Sequence, residues 1–425
     1  MRNILPLFFA CILLSCPSAA FAQSNDQPNF VNLVLNNGNL VIACPDNMIS
    51  SFEKKNWLQY GNDIRMSFNP ASKVKPASEL TDDDLSGNCV LFLGNAITNN
   101  KITGFMKKYP QVAVEGNKLS FGGREFSGKN IFLLVGGPSS VCEKKYFLFG
   151  LSSGTLPQIS AECLHVALKY DFLIGDQYGV ISFGIFDASE ENPKLNWKTA
   201  TILPRPQMKL RTTEHYEFVF PSGTLAEKDI TKIERFQEEC YEKVCSKLGF
   251  KKPVKISFLL YPSLPDRAAF TGHSGNGNAD DLLPRVYILY SDSAKCIGSH
   301  EITHILSAEN WSRKYPGEFL DEGIAEYSDR IWNKKTHREI VRDLLKQGRL
   351  PRIIDLESAW NKYQDNISYP VSAAFVAFAI EKYGIVGLKK IYLSLGEDRS
   401  KSIEIYLKES PENLQKDFEN WIRKE

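Results

Sequence analysis

Along residues 29–186 short apolar runs alternate with longer mixed segments, and the two kinds of segment differ in period. Phe30 to Leu35, Leu40 to Cys44, Cys89 to Leu93, Ile131 to Val135, Tyr146 to Leu151 and Val180 to Phe186 are apolar runs bounded by Gly, Asn and Pro, and they read as strands. Between them, Ile97 to Lys108 and Leu156 to Tyr170 space their apolar residues at helical intervals. Strands alternating with helices predict an α/β domain built on one main sheet. Val112 to Phe121 reads as a hairpin turning at Glu115-Gly116-Asn117, which argues for a mixed sheet over an all-parallel one.

The pattern changes at Pro204-Arg205-Pro206, because two prolines in three residues do not fit inside a regular helix or a central strand. Residues 204–224 therefore read as a linker. Beyond it, Leu225 to Leu248 is a long amphipathic helix, while Lys255 to Tyr261 and Arg285 to Tyr290 are strands. The rest reads as helices: Thr336 to Lys346, Ser372 to Tyr383, Leu388 to Leu395 and Leu414 to Lys424. Ser372-Ala373-Ala374, with Ala377 and Ala379, is a run of small residues that lets one helix approach another closely. The expected organisation is an α/β domain with a mixed sheet at 23–203 and an α+β domain at 225–425, mostly helical toward its end.

The N-terminus changes where such a protein works. Arg2, the apolar run Leu5 to Leu14 and the small-x-small site Ala20-Phe21-Ala22 read as an export signal over residues 1–22, giving a periplasmic or secreted protein. A second reading takes Leu13-Leu14-Ser15-Cys16 as a lipobox, with Cys16 the lipid-anchored end of a membrane-tethered protein. No later segment approaches 18 uninterrupted apolar residues, so no transmembrane helix is predicted. Formal charge is +1 with both signs interspersed, and the absence of a basic block argues against a nucleic-acid partner. Seven cysteines follow the leader, without a CxxC pair, so a zinc ribbon is excluded and buried thiols with or without a disulfide are expected. Gly136-Gly137-Pro138-Ser139 lacks the frame of a phosphate loop and reads as a turn.

The chemistry lies in His300-Glu301-Ile302-Thr303-His304. At about 100° per residue, two histidines four apart share one helix face, and both imidazoles aim at one point. That is the HExxH spacing for one zinc ion, which in a catalytic site takes three protein ligands and leaves a position for water. Glu322 opens a second helical stretch 18 positions after His304, within reach of a short loop, and is the candidate third ligand. Glu326, one turn further, is the alternative. Glu301, beside His300, is placed to take a proton from water and hand it to a leaving amine. Cys296 falls four residues before His300, on the same face if the helix begins that early, and reads as a packing thiol. His273 reads as a solvated loop histidine, and His165, His215 and His337 have no partner motif.

HExxH followed by Asp321-Glu322-Gly323-Ile324-Ala325-Glu326-Tyr327 resembles the gluzincin metallopeptidases, the thermolysin and M1-aminopeptidase clan. The resemblance covers about Leu225 to the C-terminus and implies a gluzincin-like fold there. It implies His300, His304 and Glu322 as zinc ligands and Glu301 as general base, with Glu326 holding a ligand histidine in its tautomer. Tyr369-Pro370-Val371-Ser372-Ala373-Ala374-Phe375 is similar to a segment that follows the third ligand in several members, which implies Tyr369 as donor to the oxyanion. In that clan the strand before the metal helix is a sheet edge that pairs with extended substrate, and Arg285 to Tyr290 has that place. Three departures limit the likeness: no GxMEN segment is present, Phe-Leu-Asp precedes Glu322 in place of Trp-Leu-Asn, and the gap to Glu322 is one residue shorter than in M1 enzymes. The expectation is an exported zinc endopeptidase acting on peptide or protein. The rival expectation is an envelope binding protein with a metallopeptidase scaffold, against which the retained Glu301 speaks.

Overall fold

The computed structural model describes residues 30–424 apart from 37, 103–111, 139–145, 155–156, 158, 188–193, 196–199, 204, 274, 281, 314, 330, 333–334 and 394–408. Residues 1–22, read as an export signal and including Cys16, together with Cys142, Pro204 and the second half of the helix read over 97–108, lie outside the described residues.

Eight strands form the first sheet: β1 (Leu40–Cys44), β2 (Lys73–Pro76), β3 (Cys89–Gly94), β4 (Phe132–Pro138), β5 (Tyr146–Ser152), β6 (Phe172–Asp176), β7 (Gly179–Gly184) and β8 (Thr201–Ile202). In space they run β8-β7-β6-β4-β5-β3-β1-β2. β2, β1, β3 and β5 pair in parallel, and the other half is antiparallel, so the sheet is mixed. β1, β3, β6 and β7 are buried along their whole length; β1, β3 and most of β7 read as apolar runs, whereas β6, ending in Gly175-Asp176, was not read as a strand. The hairpin at residues 112–121 belongs to a separate three-stranded sheet.

Helices α1 (Phe30–Leu35), α2 (Ser51–Phe68) and α3 (Ala161–Ala167) pack into one core with this sheet. The sequence reading took Phe30 to Leu35 as a strand, and this is corrected. Val31, Val34 and Leu35 are buried at helical spacing, and the Phe30 N–H donates to Asp171 Oδ1 at 2.9 Å, an acceptor supplied by a distant segment. α2 was not foreseen. It starts at a capping box in which Ser50 and Glu53 exchange bonds. α3 is shorter than the span read over 156–170, with Ser160 capping its start.

The second sheet contains β9 (Met208–Thr212), β10 (Tyr216–Pro221), β11 (Ile256–Tyr261), β12 (Gly277–Ala279) and β13 (Arg285–Leu289), in the order β9-β10-β11-β13-β12. Most of the stretch read as a linker, 204–224, is thus the hairpin β9–β10. Tyr216, Phe218 and Phe220 alternate into the core and anchor it. β13 is not an edge strand: it pairs with β11 in parallel and with β12 antiparallel, so β12 is the edge. Gly277, Asn278 and Ala279 carry too little apolar surface to announce a strand.

The helices that matter to the site and its support are α4 (Leu225–Leu248), α5 (Leu264–Thr271), α6 (His300–Asn310), α7 (Glu318–Asp329), α8 (His337–Lys346), α9 (Asp365–Leu393) and α10 (Pro411–Arg423), with a short helix at Ile353–Ser358 between α8 and α9. α9 joins the two helices read at 372–383 and 388–395, with a break at Gly384 where φ is 70°. By length and composition α9 is apolar enough to cross a membrane, but half of its apolar window is buried and it packs against α7, α8 and α10. Cys44, Cys163, Cys240, Cys245 and Cys296 are thiols, not disulfides.

Candidate metal centre and active site

Two helices bring the site together. α6 begins at His300 itself, so His300 and His304 stand one turn apart at its start. The Ser299 N–H donates to Asp329 Oδ1 at 3.1 Å, which ties the start of α6 to the end of α7. α7 in turn lies close against α9, because Gly323 has no side chain: a Cβ there would stand 3.0 Å from the Ser372 backbone.

Within this frame Nε2 of His300 and Nε2 of His304 lie 3.4 Å apart, and Glu322 Oε2 lies 3.2 Å from the first and 3.8 Å from the second. Ligand atoms around a tetrahedral zinc at ordinary bond lengths lie about 3.3 to 3.5 Å apart. Glu322 Oε2 is also buried without a hydrogen bond of its own. Two imidazole nitrogens and an orphaned carboxylate oxygen converging at that spacing form a donor set that fits zinc.

Each histidine is held from behind. Glu326 Oε2 lies 3.2 Å from His300 Nδ1, and its other oxygen lies 3.0 Å from Nε2 of buried His337. Asp321 Oδ2 lies 2.8 Å from His304 Nδ1. Glu326 therefore points away from the convergence point and toward the back of His300, while Glu322 points into it. Asp321 and His337 were missed by sequence reasoning. Asp321 stood inside the quoted motif, next to Glu322, without any spacing to single it out. His337 gave no signal at all, since only the docking of α8 brings it to Glu326.

The electrostatics follow from this crowding. Burial pushes the Glu326 carboxyl up, but hydrogen bonds from His300 and His337 outweigh it and hold the group at about 2. Burial pulls the His304 imidazole down, yet Asp321 outweighs it and raises the group to about 9. His300 is likewise raised well above the usual histidine value, against burial, by Glu322 and Glu326.

Glu301 lies on the side of the cluster that faces the second sheet. Its Oε1 would stand 2.8 Å from a Cβ at Gly277, so β12 approaches it as closely as only glycine allows. Glu301, His300, Gly277 and Cys296 line a cavity of about 240 Å³. Cys296 is thus not on the metal helix: it precedes α6 on the segment leading from β13, and its thiol is pushed up by burial and then by Glu301. Tyr369 lies near the start of α9, its ring centroid 6.3 Å from that of His300 and 5.3 Å from that of Trp360. Burial and then Glu322 raise its hydroxyl above the usual tyrosine range.

No described protein family and no curated protein matches the chain. Solved structures similar to the chain include M1 zinc metallopeptidases. One is an M1 zinc metallopeptidase from Deinococcus radiodurans, 13% identical with a TM-score of 0.31, where the match covers 57% of this chain and 60% of that one. Another is an aminopeptidase N family protein from Idiomarina loihiensis, 12% identical with a TM-score of 0.28, covering 66% of this chain and 51% of that one. The chain therefore spans well under two thirds of the length of either.

Proposed function

We infer that this protein is an exported zinc-dependent endopeptidase with a gluzincin-like domain that begins at β9, residue 208, behind an α/β domain ending near residue 203. The observation that supports it most strongly is the convergence of His300 Nε2, His304 Nε2 and Glu322 Oε2, with Glu301 beside them against an edge strand. Zinc held by these three residues would supply an acidified water and a polarised carbonyl.

The chain's own residues do the rest. Glu301 takes a proton from the attacking water and delivers it to the leaving nitrogen. Tyr369 donates its hydroxyl to the oxyanion of the tetrahedral intermediate. Glu326 accepts from the Nδ1–H of His300, and Asp321 lies 2.8 Å from Nδ1 of His304, so each carboxylate keeps a proton on the Nδ1 side and the Nε2 lone pairs turned inward. The outer edge of β12 has no strand beside it among the described residues, and it offers main-chain groups to an extended peptide. An edge that takes peptide in mid-chain, together with the missing GxMEN segment, favours internal cleavage over removal of an N-terminal residue. A leader at residues 1–22 would send this work to the periplasm or outside the cell, in soluble form or anchored at Cys16.

Metal analysis and hydrolysis of N-acetylated peptides test this together. Native protein and Glu301→Gln should hold one zinc per chain and Glu322→Ala none. Turnover should fall about 10²- to 10⁴-fold in Glu301→Gln. In Tyr369→Phe, kcat should fall about 10²- to 10³-fold at unchanged KM. Loss of zinc from Glu326→Ala but not from Glu322→Ala would reassign the third ligand, and cleavage restricted to free N-termini would make the enzyme an aminopeptidase.

A further inference from the structure

β12 is three residues long and, among the described residues, pairs on one side only, with Gly277 opposite Ile288, Asn278 opposite Tyr287 and Ala279 opposite Val286. So short an edge does not hold its own position. What holds it comes from two directions. From α5, the fully buried Arg267 donates to the carbonyls of His273 and Gly275 at 3.3 and 2.6 Å, and to the side-chain oxygen of Asn278.

From the N-terminal half comes the first turn of α3. Glu162, 4% exposed, accepts from Asn278 Nδ2 with one oxygen, and its other oxygen pairs with His273 Nε2 at 2.8 Å. One residue earlier, the Ala161 N–H donates to Asp280 Oδ1 at 3.3 Å. That oxygen also accepts from the Leu282 and Leu283 N–H groups, and Tyr287 donates to Oδ2. The first turn of α3 thus grips the chain before β12, within it and just after it. Its grip matters to the site because Gly277 lies against the Glu301 carboxylate.

We propose that the N-terminal half is a working part of the active site, in which Glu162 is a positioning residue that holds edge strand β12 against Glu301 in the place where peptide substrate pairs. This rests on the peptidase reading above. The carboxylate acts through His273 and Asn278 and touches neither substrate nor metal. It sets where the strand's outer edge lies, so its loss is felt in substrate binding first and in the proton transfer less.

The test uses the full-length, zinc-loaded protein and its Glu162→Ala and Glu162→Gln variants, with two readouts. Hydrogen–deuterium exchange of the segment 275–283 reads the grip without any need for activity. Steady-state cleavage of a quenched peptide reads its consequence. Glu162→Ala should exchange faster across 275–283 while β10, β11 and zinc content stay native, with KM raised about tenfold and kcat within about threefold of native. Glu162→Gln still offers Asn278 an acceptor and should recover most of both effects. Native exchange and native KM in Glu162→Ala would overturn the proposal, as would faster exchange spread over both sheets, the mark of a merely structural residue. If native protein cleaves nothing, the peptidase reading fails, and the exchange data still decide whether Glu162 holds the strand.

Discussion

His300 and His304 each have one nitrogen turned to the convergence point and the other held by a carboxylate, Glu326 and Asp321 respectively. With carboxylates alone around them, His304 is raised to about 9 and His300 well above the ordinary histidine value, so both carry protons at neutral pH. A cation takes only neutral imidazole, so it must displace those protons. Raised imidazoles weaken metal binding at low pH, and apparent zinc affinity should climb as pH rises from neutrality through about 9, where His304 gives up its proton. Calorimetry in buffers of different ionisation enthalpy should show proton release at neutral pH, and no release would mean that the imidazoles are already neutral. At this scale the metal helix was legible because two histidines four apart interact through local geometry alone. Asp321 and His337 were not, because their partners are set by how α7 and α8 dock onto α6.

Elements were read well where the apolar period ran undisturbed and poorly where tertiary contacts replaced it. α4 has a continuous stripe and its ends, Leu225 and Leu248, match the reading. α2 escaped because its buried face includes Asp63, whose carboxylate is answered by Arg313 from far along the chain at 2.8 Å. α1 escaped because a six-residue apolar run carries no clear period and its first N–H is capped by Asp171. β12 escaped because its role needs glycine at 277 and not bulk. The small residues of α9 were legible as a close-packing face, and Gly323 against Ser372 is where α7 uses it. Gly323→Ala should therefore force α7 and α9 apart, costing about 1 to 3 kcal/mol in denaturant unfolding and weakening zinc binding through displacement of Glu322. A native midpoint would show that this contact yields freely.

At the scale of the molecule, the two halves were legible as different kinds of pattern, but their union was not. Arg205 donates to Asp176 Oδ2 at 2.7 Å and to the Gly179 carbonyl at 2.8 Å; Arg313 donates to Asp63 and to the Leu282 carbonyl; α3 grips the chain around β12. These are polar contacts between residues far apart in sequence, and no periodicity foretells them. They give the first half a physical relation to the site, where sequence reading left open what it binds or positions. The proposal that joins these scales is chemical: His300, His304 and Glu322 would bind zinc, and Glu301 would move the proton. The measurement that tests it most directly is mass spectrometry of a diverse peptide library after digestion by the zinc-loaded protein and, in parallel, by its equally zinc-loaded Glu301→Gln variant. Internal cleavages are expected in the first digest and should be absent from the second. Equal cleavage in both, or none in either, would contradict it.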